Sequence, residues 1–209
     1  MKRFFVIVAA SFLMIAGGRV QAASIFVGTM ADWLATPAQV SGDKTFTYVS
    51  ASGWSGAELV TISSNIPQNS ESVSIDGLSD YIGPQTLTIA YEVAISSSDV
   101  FQSVSLDQDF SGASATTYKD MFASLEDLQA NPTPGSGTWA LSVIDSGAGT
   151  TIAVPAIQTL WIRDTIVLGA SGSVLSISNT IVQVPEPAAA SLAGCGMLLA
   201  GAAWRRRKR

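Results

Sequence analysis

The chain has 209 residues, 47% of them hydrophobic and 13% charged, with a formal charge of −5, one cysteine and no histidine. The absence of histidine excludes Ser-His and Cys-His nucleophilic catalysis and any His-based zinc site. The single Cys195 excludes an intrachain disulfide, so stability must come from packing.

In chain order, Lys2 and Arg3 make a basic start, residues 4–16 an apolar run, and Val20-Gln21-Ala22 a small-residue cleavage site. This order predicts a secretory signal peptide over residues 1–22. Residues 23–183 then form one domain's length of chain, 161 residues, enough to bury a sizeable core. Charge in this body is very uneven: 15 acids stand against Lys44, Lys119 and Arg163, a formal −12. Nucleic acid and anionic lipid are poor partners for such a surface.

Apolar residues along the body recur with period two. The clearest run is 86–95, where Leu87, Ile89, Tyr91, Val93 and Ile95 share one face and Thr86, Thr88, Ala90, Glu92 and Ala94 the other. That is the pattern of a half-buried antiparallel strand. Runs at 24–27, 44–50, 59–63, 72–75, 100–106, 138–144, 160–168 and 174–184 bring the number to about nine, separated by Gly/Ser-rich turns. Trp139 alternates with Leu141 and Val143 and belongs to the core. Tyr118, Met121, Phe122, Leu125 and Leu128 follow helical spacing, with Thr116 or Thr117 as N-cap and Pro132 beyond the end, and predict one short helix. The expected fold is mainly β, an antiparallel, jelly-roll-like β-sandwich of about nine strands with one short helix.

Two features of the body carry candidate chemistry. Asp107-Gln108-Asp109-Phe110-Ser111-Gly112 reproduces the first half of a calcium loop, with Asp107, Asp109 and Ser111 as oxygen ligands. Position twelve is Tyr118 where a bidentate Glu belongs, so the same residues also read as an acidic strand end and turn. Asp76 and Asp80 bracket a second Gly turn. Trp54, in a Gly/Ser loop, and Trp161, on a strand face with Arg163 and Thr165, are candidate platforms for stacking on sugar rings. The alternative for Trp54 is a loop residue folded back over a sandwich end.

The tail has its own logic. Val184, Pro185, Glu186 and Pro187 precede seventeen uncharged residues, 188–204, and Arg205, Arg206, Arg207, Lys208 and Arg209 follow. The uncharged run makes a helix of about 25 Å, the short end of what a bilayer core of about 30 Å requires. The five cations act as a basic stop-transfer element that places this end on the cytoplasmic side, with Trp204 as an interfacial aromatic. Two prolines hold the motif around Glu186 extended.

Motif, short membrane helix and basic cluster, in this order over residues 184–209, resemble the PEP-CTERM sorting signal of Gram-negative bacteria. The resemblance implies recognition of the Pro185-Glu186-Pro187 element by an exosortase-type membrane cysteine protease. It further implies export through the inner membrane, transient anchoring by the C-terminal transmembrane helix, and delivery to the cell surface or the extracellular matrix of exopolysaccharide. It says nothing about the body. Three readings of the body follow: a structural or adhesive surface protein that is not an enzyme, a secreted carbohydrate- or calcium-binding module without other cofactors, and a polysaccharide hydrolase using a carboxylate pair.

Overall fold

The computed structural model describes residues 23–65, 70–78, 81–112, 115–144 and 150–185. The expected signal peptide, the basic cluster and all of the tail beyond Pro185 lie outside them, as do Asp80 and the expected membrane helix. Among the described residues no helix is long and apolar enough to cross a membrane.

In chain order the elements are β1 (Ala23–Thr29), α1 (Met30–Ala35), β2 (Ala38–Ser41), β3 (Lys44–Ser52), β4 (Leu59–Asn65), β5 (Ser70–Asp76) and β6 (Gln85–Ile95). They continue with β7 (Asp99–Gly112), β8 (Ala115–Phe122), α2 (Leu125–Ala130), β9 (Trp139–Ile144), β10 (Thr150–Ala153), β11 (Thr159–Leu168) and β12 (Gly172–Pro185). The strands form two six-stranded antiparallel sheets, in the orders β1-β4-β5-β12-β7-β10 and β2-β3-β6-β11-β8-β9. One apolar layer lies between them. Val60, Ile62, Val73, Ile75, Val104, Leu106, Ile177 and Ile181 enter it from the first sheet. Phe46, Leu87, Ile89, Tyr91, Val93, Leu160, Ile162 and Ile166 enter it from the second. Removing each such side chain from water contributes about 1.5–3 kcal/mol, so this layer is the main source of stability in a chain without disulfides.

Period-two reading located nine of the twelve described strands, and the mainly β, two-sheet expectation holds. The strands without a strong alternating signal are β2 and β10, four residues each at sheet edges, and β8. The expected helix starting at Thr116 or Thr117 is corrected by β8, which pairs with β11 on one side and β9 on the other. Thr117, Lys119 and Met121 point inward and Thr116, Tyr118 and Asp120 outward, which is a strand's period. Only the second half of the expected helix exists. α2 starts at Ser124, whose hydroxyl accepts from the Asp127 N–H at 3.1 Å, and it buries Leu128. The helical spacing arose because Met121 on the inner face, Phe122 on the outer face and Leu128 on α2 fall by coincidence at helical intervals.

Helix α1 carried no sequence expectation. Thr29 caps it reciprocally with Asp32, and Met30 and Trp33 are buried beneath it. Trp33 packs on Tyr48 (ring centroids 6.0 Å) and on Tyr91 (5.7 Å), closing one flank of the sandwich with an aromatic cluster.

Candidate binding groove and the acidic strand pair

The loop between β3 and β4 is held from within by one carboxylate. Glu58 accepts from the Ser55 N–H (2.8 Å), the Ser55 hydroxyl (2.7 Å) and the Gly56 N–H (2.9 Å), and also from the Tyr81 hydroxyl. Burial pushes the Glu58 carboxyl up, but these hydrogen bonds outweigh it and hold the group below its ordinary 4.5. Burial and the neighbouring Glu58 raise the Tyr81 phenol. The loop is therefore pinned by charge-assisted bonds rather than free to sway.

This pinning presents Trp54. Its indole N–H donates to the Thr88 carbonyl at 2.6 Å, and its ring meets Tyr81 edge-on at 6.1 Å. Gly53 is needed just before it. Its φ is +82°, and a Cβ there would stand 2.5 Å from the Thr86 carbonyl. Trp54 is thus half-buried over a sandwich end, and it also lines an open groove of about 320 Å³ with Tyr48, Met30 and Leu34. Ser52, Ser55 and Gly56 provide polar atoms at its rim. Leu34 is 56% exposed on α1, an apolar side chain left facing solvent beside two aromatic rings. Ser55 also lines a second concavity of similar size with Glu58 and Tyr81. An aromatic and aliphatic floor with a few fixed polar groups is the composition of a small-molecule or sugar site, and the volume lies at the low end of the usual range of about 300–1,000 Å³. No carboxylate is among the described residues lining the Trp54 groove.

Trp161, the other proposed platform, has a different setting. It stands on the outer face of the second sheet, cross-strand from Phe122 and Glu92, and packs against the small cluster of Ala90, Phe122 and Leu128. It does not meet Trp54 in one site. Trp139 is partly buried against the main core, as its alternation with the buried Leu141 and Val143 predicts.

The Asp107–Gly112 sextet is not a loop but the end of β7, a fourteen-residue strand. Alternate residues of a strand point to opposite faces, so the oxygens do not converge as in a calcium loop. Gln108 is buried and accepts from the Thr117 hydroxyl, while Asp107 and Asp109 are exposed on the outer face. Ser111 pairs with Ser173 in the ladder, and its side chain lies outside the described ones. Asp107 and Asp109 face Ser178 and Ser176 across the ladder, and the four line a shallow polar concavity of about 330 Å³. Among the described residues no three His, Cys, Asp or Glu side chains are grouped as a metal would need. Asp76 also lies on the outer face, opposite Ser176, and burial pushes its carboxyl up.

Lys44, Lys119 and Arg163 are all buried and all paired with acids. The charges that the described surface presents to solvent are consequently all negative. This follows from the placement of three residues and was not visible in their count.

No family model matches the chain, and no curated protein does. Among solved structures, it is similar to TmCBM61 in complex with beta-1,4-galactotriose, at 9% identity and a TM-score of 0.34, over 66% of this chain and 88% of that one. A second similar structure, described as CBM4 structure and function, shows 11% identity and a TM-score of 0.28 over 67% and 87% of the two chains. At this level neither likeness identifies a ligand.

Proposed function

We propose that this chain is an exported surface or matrix protein, not an enzyme, whose sandwich adheres to neutral polysaccharide through the groove at Trp54. The observation that carries the reading is the pinned loop, which holds Trp54 over an open floor shared with Tyr48 and Leu34. Flat apolar sugar faces stack on such rings, and a loop already fixed by Glu58 has little ordering left to lose on binding. The all-negative face that the described residues present to solvent disfavours polyuronates and other anionic polymers, which narrows the ligand to neutral glycans. Hydrolysis would need a carboxylate pair about 5–9.5 Å apart flanking the bound chain, and the groove's described lining supplies none. From β6 onward the chain repeatedly changes sheet, a winding that supports the jelly-roll-like topology.

Affinity electrophoresis against neutral and acidic polysaccharides tests this reading. Trp54→Ala is expected to weaken binding to a neutral glycan about tenfold, roughly 1.4 kcal/mol, with the unfolding midpoint measured in parallel to exclude collapse of the fold. Binding unchanged in Trp54→Ala, or confined to uronate polymers, would sink the proposal.

The tail supports the route. Val184 to Pro187, the uncharged run and the basic end match the order of an exosortase substrate. On this reading residues 188–204 span the inner membrane only until processing. Intact mass and fractionation from the native host, wild type beside Glu186→Ala, check it. A wild-type protein lacking both ends in the medium or on the surface, with the variant retained in the membrane, is the expected result.

A further inference from the structure

Between the sheets lies a fully buried polar group that the groove does not use. Lys119 on β8 and Asp164 on β11 face each other across the ladder, with Nζ 2.5 Å from Oδ1. Asn179, from β12 of the opposite sheet, donates through Nδ2 to Oδ2 of the same carboxylate at 2.6 Å and to the Tyr91 hydroxyl at 3.1 Å. The Tyr91 hydroxyl in turn donates to Asp164 Oδ2 at 3.3 Å. Asn179 Oδ1 is buried with no partner. One acid thus holds an amine by one oxygen and a carboxamide by the other, and all four side chains are out of contact with water.

An amine, an acyl carbon and a shared acid–base group in a dry, fixed arrangement are the components of an acyl transfer. From this geometry we propose that Lys119 and Asn179 become joined by an isopeptide bond, with Asp164 relaying the proton. Asp164 Oδ1 accepts a proton from the Lys119 ammonium, and the freed amine adds to Cγ of Asn179. The bond from Cγ to Nδ2 then breaks. Two protons of the original ammonium end on Nδ2, passed through Asp164 and the Tyr91 hydroxyl that touches both, so the nitrogen leaves as ammonium. Nothing is oxidised or reduced: an ammonium and a primary amide become a secondary amide and ammonium.

Burial pushes the Lys119 amine below its ordinary range despite the attraction of Asp164, which favours the uncharged nucleophile. Burial, with the nearby Asp164, raises the Tyr91 phenol well above its usual value, which keeps it a neutral proton carrier. An uncatalysed amide resists amines in water, but Lys119 and Asn179 are held on the two oxygens of one carboxylate, and well-oriented intramolecular reactions reach effective molarities of about 10⁵–10⁸ M. The bond would tie β8 of one sheet to β12 of the other, a covalent cross-link between the two sheets in a body that has no disulfide.

Peptide mass spectrometry of the full chain, denatured and digested with trypsin, tests the proposal. Within the body trypsin can cut only after Lys44, Lys119 and Arg163, and it does not cut after an acylated lysine. The expected product is the fragment 45–163, uncut at Lys119, joined to the fragment that begins at Asp164 and lighter than their sum by one ammonia. Unlinked fragments of full mass overturn the proposal. So does a link to Asp164 with loss of one water, because the acyl donor would then be the wrong residue. Asn179→Asp, which keeps the shape of the side chain, is expected to abolish the ammonia loss. The wild-type fragment masses decide the question even if that variant fails to fold.

Discussion

Lys119-Asp120 on β8 and Arg163-Asp164 on β11 lie directly opposite one another, and the pleat sends one ion pair inward and the other outward. Inside, Lys119 and Asp164 meet Tyr91 and Asn179, and one amide oxygen is left without a partner. Outside, the Arg163 fork donates to Asp120 (2.7 Å), the Asn131 carbonyl (2.6 Å) and the Thr133 carbonyl (2.8 Å), and it lies 5.4 Å from the Phe122 ring centre. Asp120 accepts from the N–H groups of Gly135 and Gly137. Gly137 must be glycine, because a Cβ there would stand 2.8 Å from the β8 backbone. The difference teaches that adjacent residues on the same two strands do separate work. The outer pair clamps the 131–137 loop with a planar, many-donor cation, whereas the inner pair holds a single-point amine on the same carboxylate that an amide of the opposite sheet binds.

The comparison predicts unequal costs. Asp164→Ala leaves the buried Lys119 amine without its partner and removes the relay on which the proposed cross-link depends, and is expected to cost about 3–5 kcal/mol in urea unfolding. Asp120→Ala leaves Arg163 its two backbone carbonyls and is expected to cost about 1.5–3 kcal/mol. Equal costs would mean that burial alone, and not the remaining partners, sets the price of breaking either pair.

A smaller change separates geometry from charge on the outer face. Arg163→Lys keeps the cation but cannot reach Asp120, Asn131 and Thr133 together. The expected loss is about 1–2 kcal/mol, with faster protease cleavage in the 131–137 loop. An unchanged cleavage rate would show that α2 and Asp120 hold the loop without the fork.

Much of this architecture is legible in residues whose partners lie on their own strand. The alternation from Leu87 to Ile95 located β6 because each strand face meets a uniform environment. β8 was hidden because Lys119 occupies an inner position and Asp120 an outer buried one, and only the distant Asp164 and Arg163 make those placements tolerable. The same holds in part for the groove. Trp54 stood out by residue type and loop context, and Tyr48 and Glu58 lie close to it in sequence, but Leu34 and Tyr81 join it only through contacts with elements far along the chain. The acidic sextet at Asp107 carried two readings for the complementary reason: its local oxygen pattern is that of a turn, while pairing with β12 makes it the end of a strand.

A third buried pair sharpens the contrast at the smallest scale. Lys44 meets Glu71 at 2.7 Å and Asp43 at 3.1 Å, so removing one acid leaves it the other. Glu71→Gln is therefore expected to change stability at neutral pH by less than about 1 kcal/mol. Its signature is in pH dependence. Burial raises the Glu71 carboxyl above its ordinary 4.5 even though Lys44 opposes the shift. The folded state then binds more protons than the unfolded one between 4.5 and the raised value, so stability falls as pH rises through that window. The contribution is fully present below 4.5 and is lost above the folded value. Urea midpoints taken from neutral pH down to about 4.5 should show the wild type gaining on Glu71→Gln as the solution is acidified. Parallel curves would mean that Lys44 fully offsets the effect of burial and leaves the Glu71 carboxyl at its ordinary 4.5 in the fold.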